Sequence, residues 1–167
     1  MKVAVVMGSK SDLSVVLPTL EILKKFGVEA ETRVISAHRT PEEASFFARN
    51  ARESGFEVII AAAGKAAHLA GVLAAHTTLP VIGLPVKSSM MDGLDSLLST
   101  VQMPDGVPVA TVAVGGGRNA GLLAVQMLSI KYPELVEKLE NYKKKMAEDV
   151  MKADSDLKWE ELIEWKN

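Results

Sequence analysis

Val58-Ile59-Ile60-Ala61-Ala62-Ala63 is apolar without a break and gives way to Gly64 and Lys65. A short run with no polar alternation reads as a strand covered on both faces, the habit of a parallel sheet held between two helical layers. On its N-terminal side, Val3 to Met7 and Ala30 to Ile35 read as two further strands. Helical spacing over Leu13 to Phe26 lies between them, with Leu17, Leu20, Ile22 and Leu23 as core positions and Gly27 as the stop. A helix from Pro41 to Glu53 separates the second strand from Val58. On the C-terminal side, helix is expected over Ala66 to His76, strand over Val81 to Leu84, helix over Leu94 to Val101 and strand over Val109 to Val114. Helices over Asn119 to Ile130 and Pro133 to Met151 follow.

Five strands alternating with helices imply a parallel sheet built from crossover units, with 2-1-3-4-5 as the natural strand order. The expected fold is therefore α/β, a three-layer α-β-α sandwich around a five-stranded parallel sheet. An extended C-terminal helix is added to it. The density of Lys and Glu after Pro133 divides the chain into a catalytic-type α/β unit, 1–132, and a helical extension, 133–167. The extension ends in Trp159 and Trp165, and two readings stay open for it: packing on its own domain, or packing on another subunit, where large aromatics are favoured.

Composition narrows the function classes. The chain has 167 residues, 48% hydrophobic and 24% charged, and a net charge of -2, which argues against a broad nucleic-acid-binding face. It has no cysteine, so disulfides, thiolate metal sites and cysteine nucleophiles are excluded. No apolar run reaches the length of a membrane span, and nothing after Met1-Lys2 resembles a signal peptide, so the cytoplasm is the expected compartment.

The chemistry gathers where strands end. Gly8-Ser9-Lys10-Ser11-Asp12 follows the first strand, where free backbone N–H groups attract phosphate or carboxylate. A purely structural reading is an N-cap by Ser9 or Ser11 with Asp12 favouring the helix dipole. Ser36-Ala37-His38-Arg39-Thr40-Pro41 follows the second strand. Thr40, Pro41 and Glu43 fit a capping box, with Glu43 reaching back to Thr40. Helix initiation does not account for Ser36, His38 or Arg39. An arginine beside a helix start opposes the macrodipole unless an anion is bound there, and its planar fork suits phosphate. A histidine next to it can exchange a proton near neutral pH.

Gly64-Lys65-Ala66-Ala67-His68 follows the third strand. Its small residues let a flat ring approach the backbone, while His68 reads equally as a polar contact or a structural histidine. Lys65 is a second cation near a helix start. His76, near the far end of that helix, reads as structural. The run Gly115-Gly116-Gly117 is costly in backbone entropy and suggests a loop that must approach something closely, or a plain turn with Asn119 as N-cap.

Taken together, these motifs resemble the PurE family of purine biosynthesis, the 5-(carboxyamino)imidazole ribonucleotide mutases. The resemblance runs from Val3 to about Tyr132. It is carried by the segments quoted above together with Gly93-Leu94-Asp95-Ser96-Leu97, Val101-Gln102-Met103-Pro104, Gly106 to Thr111 and Asn119 to Ala124. It implies a flavodoxin-like fold, a homo-octamer with active sites between subunits, and a reaction free of metal and cofactor. In that reaction the carboxylate on the exocyclic nitrogen of a ribonucleotide moves to ring carbon C4 through trapped CO2. It further implies that Ser11, Ser36 and Arg39 hold the 5′-phosphate, that Asp12 accepts from ribose hydroxyls, and that His38 is the general acid/base. Ser9 and the backbone of Gly64, Lys65 and Ala66 would line the carboxylate pocket, with His68 supporting it.

The chain departs from the family's common Gly-Gly-Ala-Ala-His-Leu-Pro-Gly-Met at Lys65 and Ala70. A basic residue after the first glycine is a feature of the branch that carboxylates aminoimidazole ribonucleotide with free CO2. That carboxylase reading therefore stands beside the mutase, and a non-catalytic phosphoribosyl-binding module is the reading from another class.

Overall fold

A computed structural model describes residues 1–157. The elements run β1 Lys2–Met7, α1 Leu13–Phe26, β2 Glu29–Val34, α2 Pro41–Asn50, β3 Val58–Gly64, α3 Leu69–His76 and β4 Val81–Val86. They continue with α4 Leu94–Val101, β5 Ala110–Thr111, α5 Gly117–Ser129 and α6 Glu134–Asp156. The five strands form one parallel sheet in the order β2-β1-β3-β4-β5, as expected.

Alternation along β1 explains the three layers. Side chains of a strand point to opposite faces in turn. Val3, Val5 and Met7 join a core with Val16, Leu23 and Phe26 of α1 and Ala124 and Leu128 of α5. Ala4 and Val6 join a second core with Ala44 and Phe47 of α2 and Leu69 and Leu73 of α3. Both sets are fully or nearly fully buried, so the central strands have no solvent face to which a polar residue could be assigned.

Within α1 the expected core positions need one correction. Ile22 and Leu23 are buried, but Leu17 is 47% exposed and Leu20 is half-buried. The buried stripe is Val16, Thr19, Leu23 and Phe26, joined by Ile22. Leu17 lies one residue, about 100° or a little over a quarter-turn, round the helix from Val16, and so faces outward. Gly27 ends the helix as expected: with φ at 76° it takes the left-handed cap, and its N–H donates to Leu23 and Lys24 carbonyls.

Other boundaries also differ from expectation. The second helix ends at Asn50 rather than Glu53. The third begins at Leu69 rather than Ala66, because Lys65 adopts a left-handed backbone with φ at 58° and bends the chain first. β5 spans two residues instead of six. The reason lies in its neighbour. The carbonyl of Pro85 accepts from Gly115 N–H on the β5 side at 2.9 Å. A strand residue's N–H and C=O point the same way, so the N–H that proline lacks is one that a longer β5 would have used.

The last residue of the triple glycine serves helix packing. A Cβ on Gly117 would lie 2.3 Å from the Val15 carbonyl oxygen, and Thr19 Oγ1 donates to the Gly117 carbonyl at 2.8 Å. α5 starts at Gly117 with Gly116 before it, so Asn119 lies inside the first turn and is not its N-cap.

α6 extends about a turn beyond the expected Met151. Its first half rests on its own domain through buried Leu135, through Tyr142 against Phe26 at 5.7 Å between ring centroids, and through Lys138 Nζ donating to the Phe26 carbonyl. Its second half carries Val150 and Met151 at 69% and 62% exposure. The expectation for Trp159 and Trp165 lies outside the described residues. Among the described residues no helix is long and apolar enough to cross a membrane.

Candidate active site

In an open parallel sheet the crevice for a ligand lies at the carboxyl ends of the strands, where the order reverses. Here the order reverses around β1, whose neighbours are β2 and β3. The segments leaving β1, β2, β3 and β4 surround a cavity of about 590 Å³ there. Ser9, Ser11, Asp12, Ser36, His38, Arg39, Gly64, Lys65, Ala66 and His68 all line it. The Gly115 to Asn119 segment does not, and His76 lies at the far end of α3, also outside it.

The β1 exit closes on itself through a short 3-10 turn, Lys10–Asp12. Ser9 N–H donates to Asp12 Oδ2 at 3.0 Å, and Ser9 Oγ accepts from Ser11 N–H at 3.3 Å and from Ser11 Oγ at 2.9 Å. This reciprocal cap is the structural reading of the motif, and it coexists with placement of all three side chains at the cavity. Asp12 is 8% exposed. Burial raises its pKa above the ordinary carboxylate value, against the lowering effect of hydrogen bonds from Ser9 and Ser11.

The β2 exit corrects one expectation. Thr40 precedes α2, but its hydroxyl makes no cap to the helix. It accepts from Ser36 N–H at 3.0 Å and donates to the Ser36 carbonyl at 2.9 Å, closing the loop that carries His38 and Arg39. Glu43 does not reach back to Thr40. It pairs with Arg33 of β2 at 2.9 Å, a charged partner that outcompetes a neutral amide. The loop is thereby fastened by its own hydroxyls rather than by the helix.

Arg39 bridges two strand exits. Its backbone N–H and Nε both donate to Ser36 Oγ, at 3.2 and 3.3 Å, and Nη2 donates to the Gly8 carbonyl at 3.2 Å. These side-chain contacts use two of its five N–H donors, both on neutral acceptors. No carboxylate pairs with it among the described residues, which leaves a full positive charge at the mouth of β1 and β2.

His38 and His68 meet. His38 Nε2 lies 3.0 Å from His68 Nδ1, with the rings 5.0 Å apart and edge-on at 72°. One of these nitrogens must donate and the other accept, so the bonded pair cannot carry both rings doubly protonated. His68 lines the cavity and is hydrogen-bonded within it, so both sequence readings of this residue stand.

Sequence reasoning missed the β4 exit. Lys87, Ser88 and Ser89 also line the cavity. The signal was available: β4 is another fully buried strand ending at the same sheet edge, and its first residue past Val86 is a lysine. Ser88 Oγ donates to Asp95 Oδ1 at 2.8 Å, and Lys87 Nζ lies 2.6 Å from Asp92 Oδ1.

Comparison with known proteins accords with this geometry. A family model described as AIR carboxylase matches residues 2–149. An N5-carboxyaminoimidazole ribonucleotide mutase of Saccharolobus solfataricus is 57% identical over 150 residues, covering 90% of this chain and 95% of its own. One from Pyrococcus abyssi is 59% identical over 145 residues, covering 87% and 83%. The crystal structure of Treponema denticola PurE superposes with a TM-score of 0.83 at 29% identity, covering 94% of this chain and 98% of that one.

Proposed function

The chain belongs to the AIR carboxylase, or PurE, family, and from that membership we infer that it is a mutase acting on N5-carboxyaminoimidazole ribonucleotide in purine biosynthesis. The observation that carries the reading at the level of the site is the His38–His68 pair in one cavity with the uncompensated Arg39. A binding module needs the arginine but has no use for a proton carrier beside it.

The roles are those the family resemblance implies, and the chemistry of each side chain suits them. Arg39, Ser36 and Ser11 hold the 5′-phosphate, and the Asp12 carboxylate accepts from the ribose hydroxyls. As the bond from the exocyclic nitrogen to the carboxylate breaks, its electron pair stays on nitrogen and CO2 departs, while His38 gives that nitrogen a proton and leaves the neutral amine. The electron pair at C4 then closes on CO2, and His38 takes the proton that C4 loses. The proton supplied equals the proton recovered, so the reaction is an isomerisation that needs no cofactor. Ser9 and the backbone of Gly64, Lys65 and Ala66 form the pocket that receives CO2. His68 keeps the His38 ring in place and in one tautomer.

Free CO2 would be lost to water, so the enclosure must be small and dry. We assign its completion to neighbouring subunits of a cytoplasmic homo-octamer, onto which the outer half of α6 extends. The exposed apolar side chains Met90, Met91, Leu94 and Leu98, following the β4 exit, support such an assembly. Lys65 at the cavity supports a second reading, carboxylation of aminoimidazole ribonucleotide by free CO2.

Two donors separate the readings, each given to purified protein without ATP. Rapid conversion of N5-carboxyaminoimidazole ribonucleotide at low bicarbonate is expected. Use of aminoimidazole ribonucleotide with bicarbonate, and not of the first, would establish the carboxylase. Activity with neither would return the chain to a binding role. Sedimentation of the same preparation should give eight chains, and a fully active monomer would remove the shared enclosure.

A further inference from the structure

The cavity's charge is laid out along the sheet edge. Arg39 stands at the β2 exit and bonds across to the β1 exit at Gly8. The register pairs Gly64 of β3 with Val86 of β4, so the residues that follow, Lys65 and Lys87, leave neighbouring strands at the same level. Both line the cavity. Strands are spaced by ~4.8 Å, which puts the Lys65 backbone about 10 Å, two spacings, from the Arg39 exit. Among the described residues, Asp12 is the sole carboxylate lining the cavity. Two separate cationic ends with one acid between them describe a site for a molecule with an anion at each end.

Lys65 carries a second, independent mark. Its φ of 58° is a left-handed conformation that glycine adopts freely and a residue with a Cβ adopts at a cost. Strain of this kind persists at ligand clamps, where the surroundings over-determine it. Lys65 makes no ion pair or side-chain hydrogen bond among the described residues, so no contact among them accounts for the lysine. Lys87 is held toward Asp92 by an exposed ion pair, which a second anion in the cavity can replace.

We propose that Lys65, seconded by Lys87, forms an anion subsite at the β3–β4 end of the cavity that holds the migrating carboxylate, opposite the phosphate held by Arg39. The assignment rests on the mutase reading. It has a consequence for the course of the reaction. A fixed ammonium stabilises both carboxylated forms of the ribonucleotide but not neutral CO2. It therefore disfavours the intermediate state from which CO2 escapes, and Lys65 limits leakage of uncarboxylated ribonucleotide.

The test uses the full chain and two ligands, 4-carboxy-5-aminoimidazole ribonucleotide and 5-aminoimidazole ribonucleotide, titrated calorimetrically. Lys65→Met removes the charge and keeps the Cβ. Lys65→Gly removes both. Each variant should bind the carboxylated ligand roughly tenfold more weakly, the worth of one charge-assisted hydrogen bond in a partly open site, and the uncarboxylated ligand unchanged. Each should also release a larger fraction of uncarboxylated ribonucleotide per turnover than the wild type. Arg39→Ala should weaken both ligands alike. Equal weakening of the two ligands by Lys65→Met, or weakening of neither, overturns the subsite, as does wild-type discrimination in Lys65→Gly. The mutase reading fails separately: a wild type that shows the binding discrimination but does not convert N5-carboxyaminoimidazole ribonucleotide would keep the subsite and lose the reaction.

Discussion

His38 owes its position to two hydroxyls and a second ring. The turn from Ser36 to Thr40 is closed by Thr40 Oγ1 on both sides of the Ser36 peptide unit, and the imidazole is met at 3.0 Å by His68. His38→Asn keeps a polar side chain of similar reach and cannot shuttle a proton at neutral pH. Turnover should fall by at least about a hundredfold, the lower range for losing a general acid/base, with ribonucleotide affinity retained. Retained turnover with the asparagine in place would remove His38 from its role. The residue types of this site were plain in the sequence, because a histidine and an arginine beside a helix start have no structural reason to be there. The partner of Glu43 was not. A capping box and an ion pair to Arg33 use the same carboxylate, and the choice depends on a strand that lies ten residues away and alongside.

At the scale of elements, helix contact explains what the glycines do. α1 and α5 approach so closely that a Cβ on Gly117 would meet the Val15 carbonyl oxygen at 2.3 Å and one on Gly121 would meet Ile22 at 2.9 Å. Gly117→Ala should therefore destabilise the protein by about 1–3 kcal/mol, the usual cost of overpacking, as read from chemical denaturation. An unchanged midpoint would show that the pair of helices can part without loss. The substitution is outside the cavity, so substrate affinity should change far less than stability. Elements themselves were legible wherever the apolar pattern was strong: β1, β3 and β4 are uninterrupted apolar runs, and all of their residues but Lys2, Ala63 and Gly64 are buried. Their ends were less so. β5 is cut short by a proline on its neighbour, and α3 starts late because Lys65 takes a left-handed backbone. Neither cause is local to the pattern that predicts the element.

Across the whole molecule, Glu57 fastens distant parts of the chain. Its Oε1 accepts from Lys131 Nζ at 2.6 Å and from Tyr132 OH at 2.8 Å, and its Oε2 lies 3.7 Å from the N-terminal ammonium. Burial alone would raise its pKa, but the hydrogen bonds and charges of Lys131, Tyr132 and the N-terminus outweigh it and hold the carboxyl below its ordinary value of 4.5. A carboxyl lowered by folding contributes stability above its unfolded pKa and loses that contribution as pH falls through the folded one. Glu57→Gln should therefore melt below the wild type at pH 7, and the gap should close as the medium is acidified below about pH 4.5. A gap of constant size across that range would mean that shape rather than charge holds this corner together.

The sequence by itself determined the layering, the strand order expected of it and the edge on which function gathers. All three follow from which residues are apolar and how often they recur, and recurrence is a property of neighbours along the chain. The ten residues expected at the site lie around one cavity for the same reason: each ends or follows a strand, and parallel strands end on the same side. Only the tertiary structure decided which of them touch. His38 meets His68 thirty positions away, Thr19 meets Gly117 ninety-eight positions away, and the chain leaves β3 and β4 at the same level because Gly64 pairs with Val86 and not with a residue one step along. Register and side-chain packing set these contacts. They depend on how whole elements fit against one another, which no periodicity within a single element records.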